Sequence, residues 1–388
     1  MVRPASPSRP KHSAAAGSVR AAVLLEPDRF EIRAFPVPRV AADAALIDVE
    51  LCGICGTDLK YASGHLPATY PIILGHEVVG RIVAVGTLAA ERHGVSVGDR
   101  VLVESSIPCW HCDACRSGAY RLCPTKGGYG TRTPTTVSPG LWGGLAEQMF
   151  IAPGSIIHRL PPTMPAETAV GVPLLANGLQ WLVHHGGMGP GDRVLIQGCG
   201  PQGLAAALVA QSAGAGEVVV TGLASDLARL AFAARSGART VVVGPDDSAA
   251  VRLERIGSGF DVALDVSGSP AAIAAAPAHL RPRGTFVLAG LVGRGANVPF
   301  ATDELVYREI RIQAVLSKDD AAIRSALALV VGHPEIGARL DELITDVFPL
   351  DDVASAIGAV KAGLDGFVKA AVQPGLRGPQ RRRKVRLR

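Results

Sequence analysis

Between Val23 and Val103 the apolar positions come as short runs or in alternation, cut by Gly and Pro: AAVLL, ALIDVEL, EVVGRIVAVG and DRVLVE. A two-residue period over stretches this short predicts half-buried strands, so this part reads as an all-β domain. Near Ala169 the texture changes. VLIQ, EVVV, TVVV, FDVALDV and GTFVLAG are strand-like, and they alternate with an Ala-rich run from Leu204 and with SDLARLAFAARSG, which has a helical look. That alternation predicts βαβ units around a parallel sheet, an α/β fold class. After Lys318 come two more helix-like segments, a break at Phe348-Pro349-Leu350 and a last strand, FVKAAV.

A chain of 388 residues with 48% hydrophobic content suffices for two cores. No apolar run approaches the ~18–20 residues that span a bilayer, so no membrane partner is expected and the cytoplasm is the default address. The net charge of +5 raises the question of nucleic acid. Its distribution answers it. Residues 1–20 carry Arg3, Arg9, Lys11 and Arg20 without an acid, and residues 374–388 carry Arg377, Arg381, Arg382, Arg383, Lys384, Arg386 and Arg388, again without an acid. The body between them is mildly acidic. Such like-charge ends, rich in Pro, Ser or Gly, read as solvated disordered tails, and no nucleic-acid partner is expected.

Two segments carry strong chemical signals. Cys109, Cys112, Cys115 and Cys123 form a C-x2-C-x2-C-x7-C run on a stretch with Pro108, Gly118 and Pro124. Four thiolates on a turn-rich segment wrap one zinc ion as a closed structural site that organises chain and does no chemistry. Two disulfides are the alternative, disfavoured because nothing resembles a secretory signal and intracellular thiols stay reduced. Further on, Gly198-Cys199-Gly200-Pro201-Gln202-Gly203 matches G-x-G-x-x-G between the strand VLIQ and the Ala-rich helix. Glycines there let backbone approach a pyrophosphate at the helix N-terminus, so Gly198, Gly200, Pro201, Gln202 and Gly203 read as a dinucleotide loop. At the ribose end an acid usually closes the second strand. Here Thr221 is followed by Gly222, and Ser225, Asp226 and Arg229 are the nearest polar groups, which leaves NAD and NADP both open.

Upstream, Cys52-Gly53-Ile54-Cys55-Gly56-Thr57-Asp58-Leu59-Lys60 is followed by Gly75-His76-Glu77-Val78-Val79-Gly80 and Gly86. A Cys and a His on separate loops, each trailed by a carboxylate, offer metal ligands with acids to orient them. Cys52 reads as a buried bystander, while His65, His184 and His185 have no motif partners. Trp142 and Trp181 fit a pocket wall or a core equally well.

With CGTD at Cys55, G-H-E-x2-G-x5-G from Gly75, Gly98-Asp99-Arg100-Val101, the four-cysteine lobe and GxGxxG in that order, the chain resembles the zinc-dependent alcohol dehydrogenases of the medium-chain dehydrogenase/reductase superfamily over residues 21–373. The resemblance implies a Rossmann domain at 173–317, inserted in a β-rich GroES-like catalytic domain at 21–172 that resumes at 318–373, with tails at 1–20 and 374–388. It implies a catalytic zinc on Cys55 and His76, Asp58 holding the His76 tautomer, Glu77 beside the ion, and Thr57 and Lys60 as a proton relay. Zinc would act as a Lewis acid on an alcohol oxygen while hydride passes to NAD(P).

One element of the family pattern is missing. A third ligand, Cys, Asp or Glu, usually lies about two dozen residues before the nucleotide loop, yet residues 171–178 contain no Cys, Asp, Glu or His, and Asn177 is their only polar side chain. Either Glu77 completes a Cys55-His76-Glu77 set, or the ion is held weakly or not at all. The expectation is a zinc-assisted alcohol dehydrogenase acting on a secondary alcohol, polyol or cyclitol. A zinc-free quinone or enoyl reductase and a silent nucleotide-binding protein are the alternatives. Leu141 and Trp142 suggest a substrate with some hydrophobic surface, and the family implies a homodimer or homotetramer.

Overall fold

The computed structural model describes residues 17–293, 295–363 and 366–381. The first strand, Ser18–Glu26, pairs with Arg29–Pro36 as a hairpin that also takes in Ile72–Ile73. The central β sheet is ordered Ile157–Arg159, Arg100–Val103, Glu77–Val85, Ala45–Gly53, Lys369–Val372, Ile344–Phe348, Gln380–Arg381, and Gln148–Ile151 also pairs with Ala45–Gly53. Its chain-distant members, Ile344–Phe348 and Lys369–Val372, bring the end of the chain back beside Cys52 and Gly53. That return places a late lysine at an early site.

The tail boundaries differ from the sequence expectation. Ser18–Arg20 already belong to a strand, and Val19 is buried. Arg20 is no solvated tail charge: it pairs with Asp351 and with Glu147. At the other end Gln380–Arg381 pair antiparallel with Ile344–Phe348, so residues 374–381 continue the fold rather than leave it. The expectations for residues 1–16 and 382–388 lie outside the described residues.

The second sheet is six-stranded and wholly parallel, ordered Arg239–Val242, Glu217–Gly222, Arg193–Gln197, Phe260–Asp265, Leu280–Leu288, Arg311–Ala314. Helices cover both faces, which is why its inner strands are continuous runs of Val, Ile and Leu. Val194 and Ile196 belong to one core and Leu195 to the other. The chain order reverses between Arg193–Gln197 and Phe260–Asp265, and the crevice at the carboxyl ends of those strands is where this architecture binds ligands.

Helix Ala166–Gly178 joins the two parts, packing on Ala45–Gly53 and on helix Pro201–Ser212. Arg100 fixes its approach: the guanidinium pairs with Glu50 at 2.7 Å and donates to the carbonyls of Pro162 and Met164. The second crossing is clamped as well. Trp181 Nε1 donates to Ser317 O at 2.8 Å, and Lys318 lies 3.9 Å from the buried Glu104. Among the described residues no helix is long and apolar enough to cross a membrane.

Candidate active site

Cys55 caps the short helix Gly56–Ala62, and the cap builds the site. Its Sγ accepts the Thr57 N–H at 3.2 Å, while the Asp58 carboxylate reaches back to accept the Cys55 N–H at 2.9 Å. The other oxygen of Asp58 accepts the Gly75 N–H at 3.2 Å and lies 3.3 Å from His76 Nδ1. A fully buried aspartate thus ties the Cys55 turn to the His76 turn. With a carboxylate facing Nδ1, Nε2 is left to face Cys55 Sγ, 3.1 Å away. Burial opposes ionisation of Asp58, but His76 and the two N–H donors outweigh it and hold the carboxyl below its usual range.

Glu77 opens the next strand, with Gly53 opposite it in register. Cys55, His76 and Glu77 bring one donor atom each to within 4.8 Å of one another. The donor set fits zinc: sulfur, imidazole nitrogen and carboxylate are its preferred ligands, and tetrahedral bonding sets neighbouring S and N at about 3.5 Å. Among the described residues no fourth Cys, His, Asp or Glu joins them. Helix Ala166–Gly178 approaches through Val170, which touches the space above Gly53. Asn177 points elsewhere, donating to Gln202 Oε1 at 2.8 Å, and Gln202 in turn donates to Leu174 O. Asn177 and Gln202 thus lock the joining helix to the nucleotide loop.

Lys369 is a residue beside this site that the local sequence patterns do not single out. It is 1% exposed, its ammonium lies 2.5 Å from Glu77 Oε2, and it donates to Ile54 O at 3.0 Å. Burial works against its charge, but Glu77, Cys55 and Asp58 outweigh burial and raise its pKa above the ordinary lysine value. Gly53 makes the room: a Cβ there would collide with Glu77 Oε2 and lie 3.2 Å from Lys369 Cε.

Thr57 sits on the first turn of the capped helix, partly exposed. Lys60 turns across the cleft, its ammonium 3.5 Å from Leu291 O of the parallel-sheet part, and His65 faces Gly293 nearby. Cys52 is buried behind Gly75, where a Cβ would come within 2.5 Å of its Sγ, and burial pushes its thiol well above the ordinary range. Leu141 and Trp142 do not line the cleft. They belong to the β-domain core, where Trp142 stacks edge-on against Phe150 and its N–H goes to Val137 O. The inference of a hydrophobic substrate from those two residues therefore falls.

The nucleotide loop has the form its glycines require. Gly198 has φ +109°, and Gly200 begins helix Pro201–Ser212 with no side-chain cap, so the first N–H groups stay free for an anion. A Cβ on Gly203 would collide with Gly198 O, which explains the third glycine. At the end of the neighbouring strand Gly222 abuts Cys199, and the turn beyond it carries Asp226 paired with Arg229 at 2.9 Å. Ser225 lies exposed in that turn.

In the separate lobe, the Cys109, Cys112, Cys115 and Cys123 sulfurs also fall within 4.8 Å of one another. Cys109 Sγ and Cys115 Sγ are 3.8 Å apart, far beyond a disulfide and equal to the sulfur spacing of about 3.8 Å that a tetrathiolate zinc imposes. The backbone N–H groups of His111 and Cys112 pull the Cys109 thiol down to about 5, which favours the thiolate a metal needs.

Residues 41–162 match the family model for the alcohol dehydrogenase GroES-like domain, and residues 201–332 match that for the zinc-binding dehydrogenase. The Mycobacterium tuberculosis protein named "Probable alcohol dehydrogenase adh" is 44% identical over 353 residues, covering 89% of this chain and 96% of that protein. Sorbitol dehydrogenase of Bacillus subtilis is 30% identical, covering 92% and 98%. Among solved structures, 2R,3R-butanediol dehydrogenase of Bacillus subtilis superimposes with a TM-score of 0.77 at 26% identity, over 92% of this chain and all of that one.

Proposed function

The chain belongs to the zinc-dependent alcohol dehydrogenase family of the medium-chain dehydrogenases/reductases and is an alcohol oxidoreductase; we propose that it acts on a secondary or polyol-type hydroxyl, with Cys55, His76 and Glu77 holding the catalytic metal. The observation that carries this reading is the convergence of a thiol, an imidazole and a carboxylate at the cleft that Lys60 bridges to the nucleotide-binding part. The sorbitol and butanediol dehydrogenases among its relatives support the substrate class.

When bound, zinc supplies Lewis acidity toward the substrate oxygen and the nicotinamide supplies the hydride acceptor. The protein's own groups do the rest. Asp58 fixes the tautomer and orientation of His76. Lys369 balances the charge of Glu77 in a dry wall, where an unpaired carboxylate would cost several kcal/mol, and leaves it a second oxygen as donor. Thr57, beside Cys55, would take the substrate hydroxyl proton, and Lys60, which reaches across the cleft to Leu291 O, would carry it onward. The free N–H groups of helix Pro201–Ser212 hold the pyrophosphate. The four-cysteine lobe holds a structural zinc, and reduced thiol sites of this kind suit a cytoplasmic address.

A homodimer or homotetramer is supported by the outer edge of the parallel sheet. Arg311–Ala314 is its terminal strand, and Ile312, Leu316, Val306 and Tyr307 are exposed on or near it. An open strand edge flanked by apolar side chains pairs readily with a second copy.

The test is steady-state turnover of sorbitol, xylitol and 2,3-butanediol with NAD and NADP, before and after chelation and with zinc restored. Turnover that disappears on chelation and returns with zinc supports the reading. Turnover indifferent to metal, or found only with enones or quinones, contradicts it.

A further inference from the structure

We infer that this chain selects NAD over NADP through Asp226, a carboxylate that reaches the ribose end of the nucleotide site from a turn instead of from the end of a strand. The inference rests on the nucleotide reading above and adds to it which dinucleotide is taken.

The strand Glu217–Gly222 ends without an acid, and the structure shows why none fits. A Cβ on Gly222 would collide with Cys199 Sγ and lie 3.1 Å from Leu230 Cδ2. Cys199 is the residue between the first two glycines of the nucleotide loop and is 2% exposed, so it cannot swing aside. Burial, and then the charge of the nearby Asp226 carboxylate, push the Cys199 thiol up to about 12. The acid excluded from the strand end is thereby replaced by one lying against the nucleotide loop beside it.

Asp226 is held there. One oxygen accepts the Leu223 N–H at 3.0 Å, the other accepts Arg229 Nη1 at 2.9 Å, and its own N–H donates to Leu223 O at 2.9 Å. The side chain is 20% exposed. An ionised carboxylate has about four lone-pair sites, so these contacts leave capacity for ribose hydroxyls.

Arg229 is the cation that a 2′-phosphate would need, and it is already engaged. Its Nη1 serves Asp226 and its Nε donates to Phe367 O at 3.2 Å. The pair is neutral and offers no surplus positive charge to a dianion. The neighbouring strand Arg239–Val242 leads to an exposed Asp246, a further negative charge at the carboxyl edge of the same sheet. A ribose hydroxyl can donate to Asp226, whereas a 2′-phosphate presents like charge to it.

The experiment is calorimetric titration of the purified full-length protein with NADH and with NADPH. NADH is expected to bind at least about tenfold tighter. Asp226→Asn keeps an acceptor for the Leu223 N–H and removes the charge, and should bring the ratio of the two dissociation constants toward one at an unchanged melting temperature. Wild-type protein that binds NADPH as tightly as NADH overturns the inference alone, as does a ratio that Asp226→Asn leaves intact. Should the variant lose its fold, the wild-type ratio decides. Failure to bind either nucleotide overturns the nucleotide reading, and the inference with it.

Discussion

Lys369 sets its ammonium 2.5 Å from Glu77 Oε2 in the wall behind the metal-ligand cluster, with Gly53 leaving the space both side chains share. Taking two charges out of water costs several kcal/mol each, and their mutual attraction offsets that cost only while both are present. Lys369→Met is therefore expected to destabilise the fold by about 3–5 kcal/mol, read from chemical denaturation. A change below about 1 kcal/mol, the range of surface pairs, would show the charge to be solvated and the pair incidental.

Asp58 acts on the metal through His76. Asp58→Asn preserves shape but replaces the acceptor facing His76 Nδ1 with a weaker one and sacrifices the charge. The affinity of the catalytic zinc should fall about 10–100-fold in chelator competition, the usual scale for the partner of a ligating histidine. An unchanged affinity would mean that the Cys55 and His76 turns hold their geometry without it.

The third glycine of the nucleotide loop is a packing requirement, because a methyl there meets the carbonyl of Gly198. Gly203→Ala should cost about 1–3 kcal/mol as an overpacking change and weaken NADH binding in the same preparation. Wild-type stability together with wild-type binding would contradict the close helix–strand approach.

Removing one thiolate from the closed lobe should release its ion. Cys112→Ser is expected to lower the melting temperature by at least about 5 °C and to reduce bound zinc by one. Tyr120, inside the lobe, lies 3.5 Å from Glu104, so the loss should also loosen the Lys318 crossing and expose it to limited proteolysis.

Local motifs made much of the site legible in the sequence. The four cysteines, the glycines at 198, 200 and 203, and the Cys55 and His76 turns each complete their geometry within a few residues, so spacing alone carries it. Lys369 lay beyond such reasoning. It meets Ile54 from 315 residues along the chain, through a strand pairing that no local pattern encodes. An isolated lysine in FVKAAV was a signal of its own, since a charge within an apolar strand needs a partner. Nothing local to Gly53 signals that Glu77 and Lys369 need the space its missing side chain leaves. Leu141 and Trp142 misled for the opposite reason: apolar side chains in a loop fit a pocket and a core equally well, and only packing decides. The tails were read from charge, which does not report strand pairing, so Arg20 and Arg381 were assigned to solvent.

The most direct measurement is zinc per subunit by elemental analysis of the purified protein and of Cys55→Ala. Two ions in the wild type and one in the variant are the predicted result, one belonging to the four-cysteine lobe and one to Cys55, His76 and Glu77. A single ion that the substitution leaves in place would contradict the catalytic metal centre.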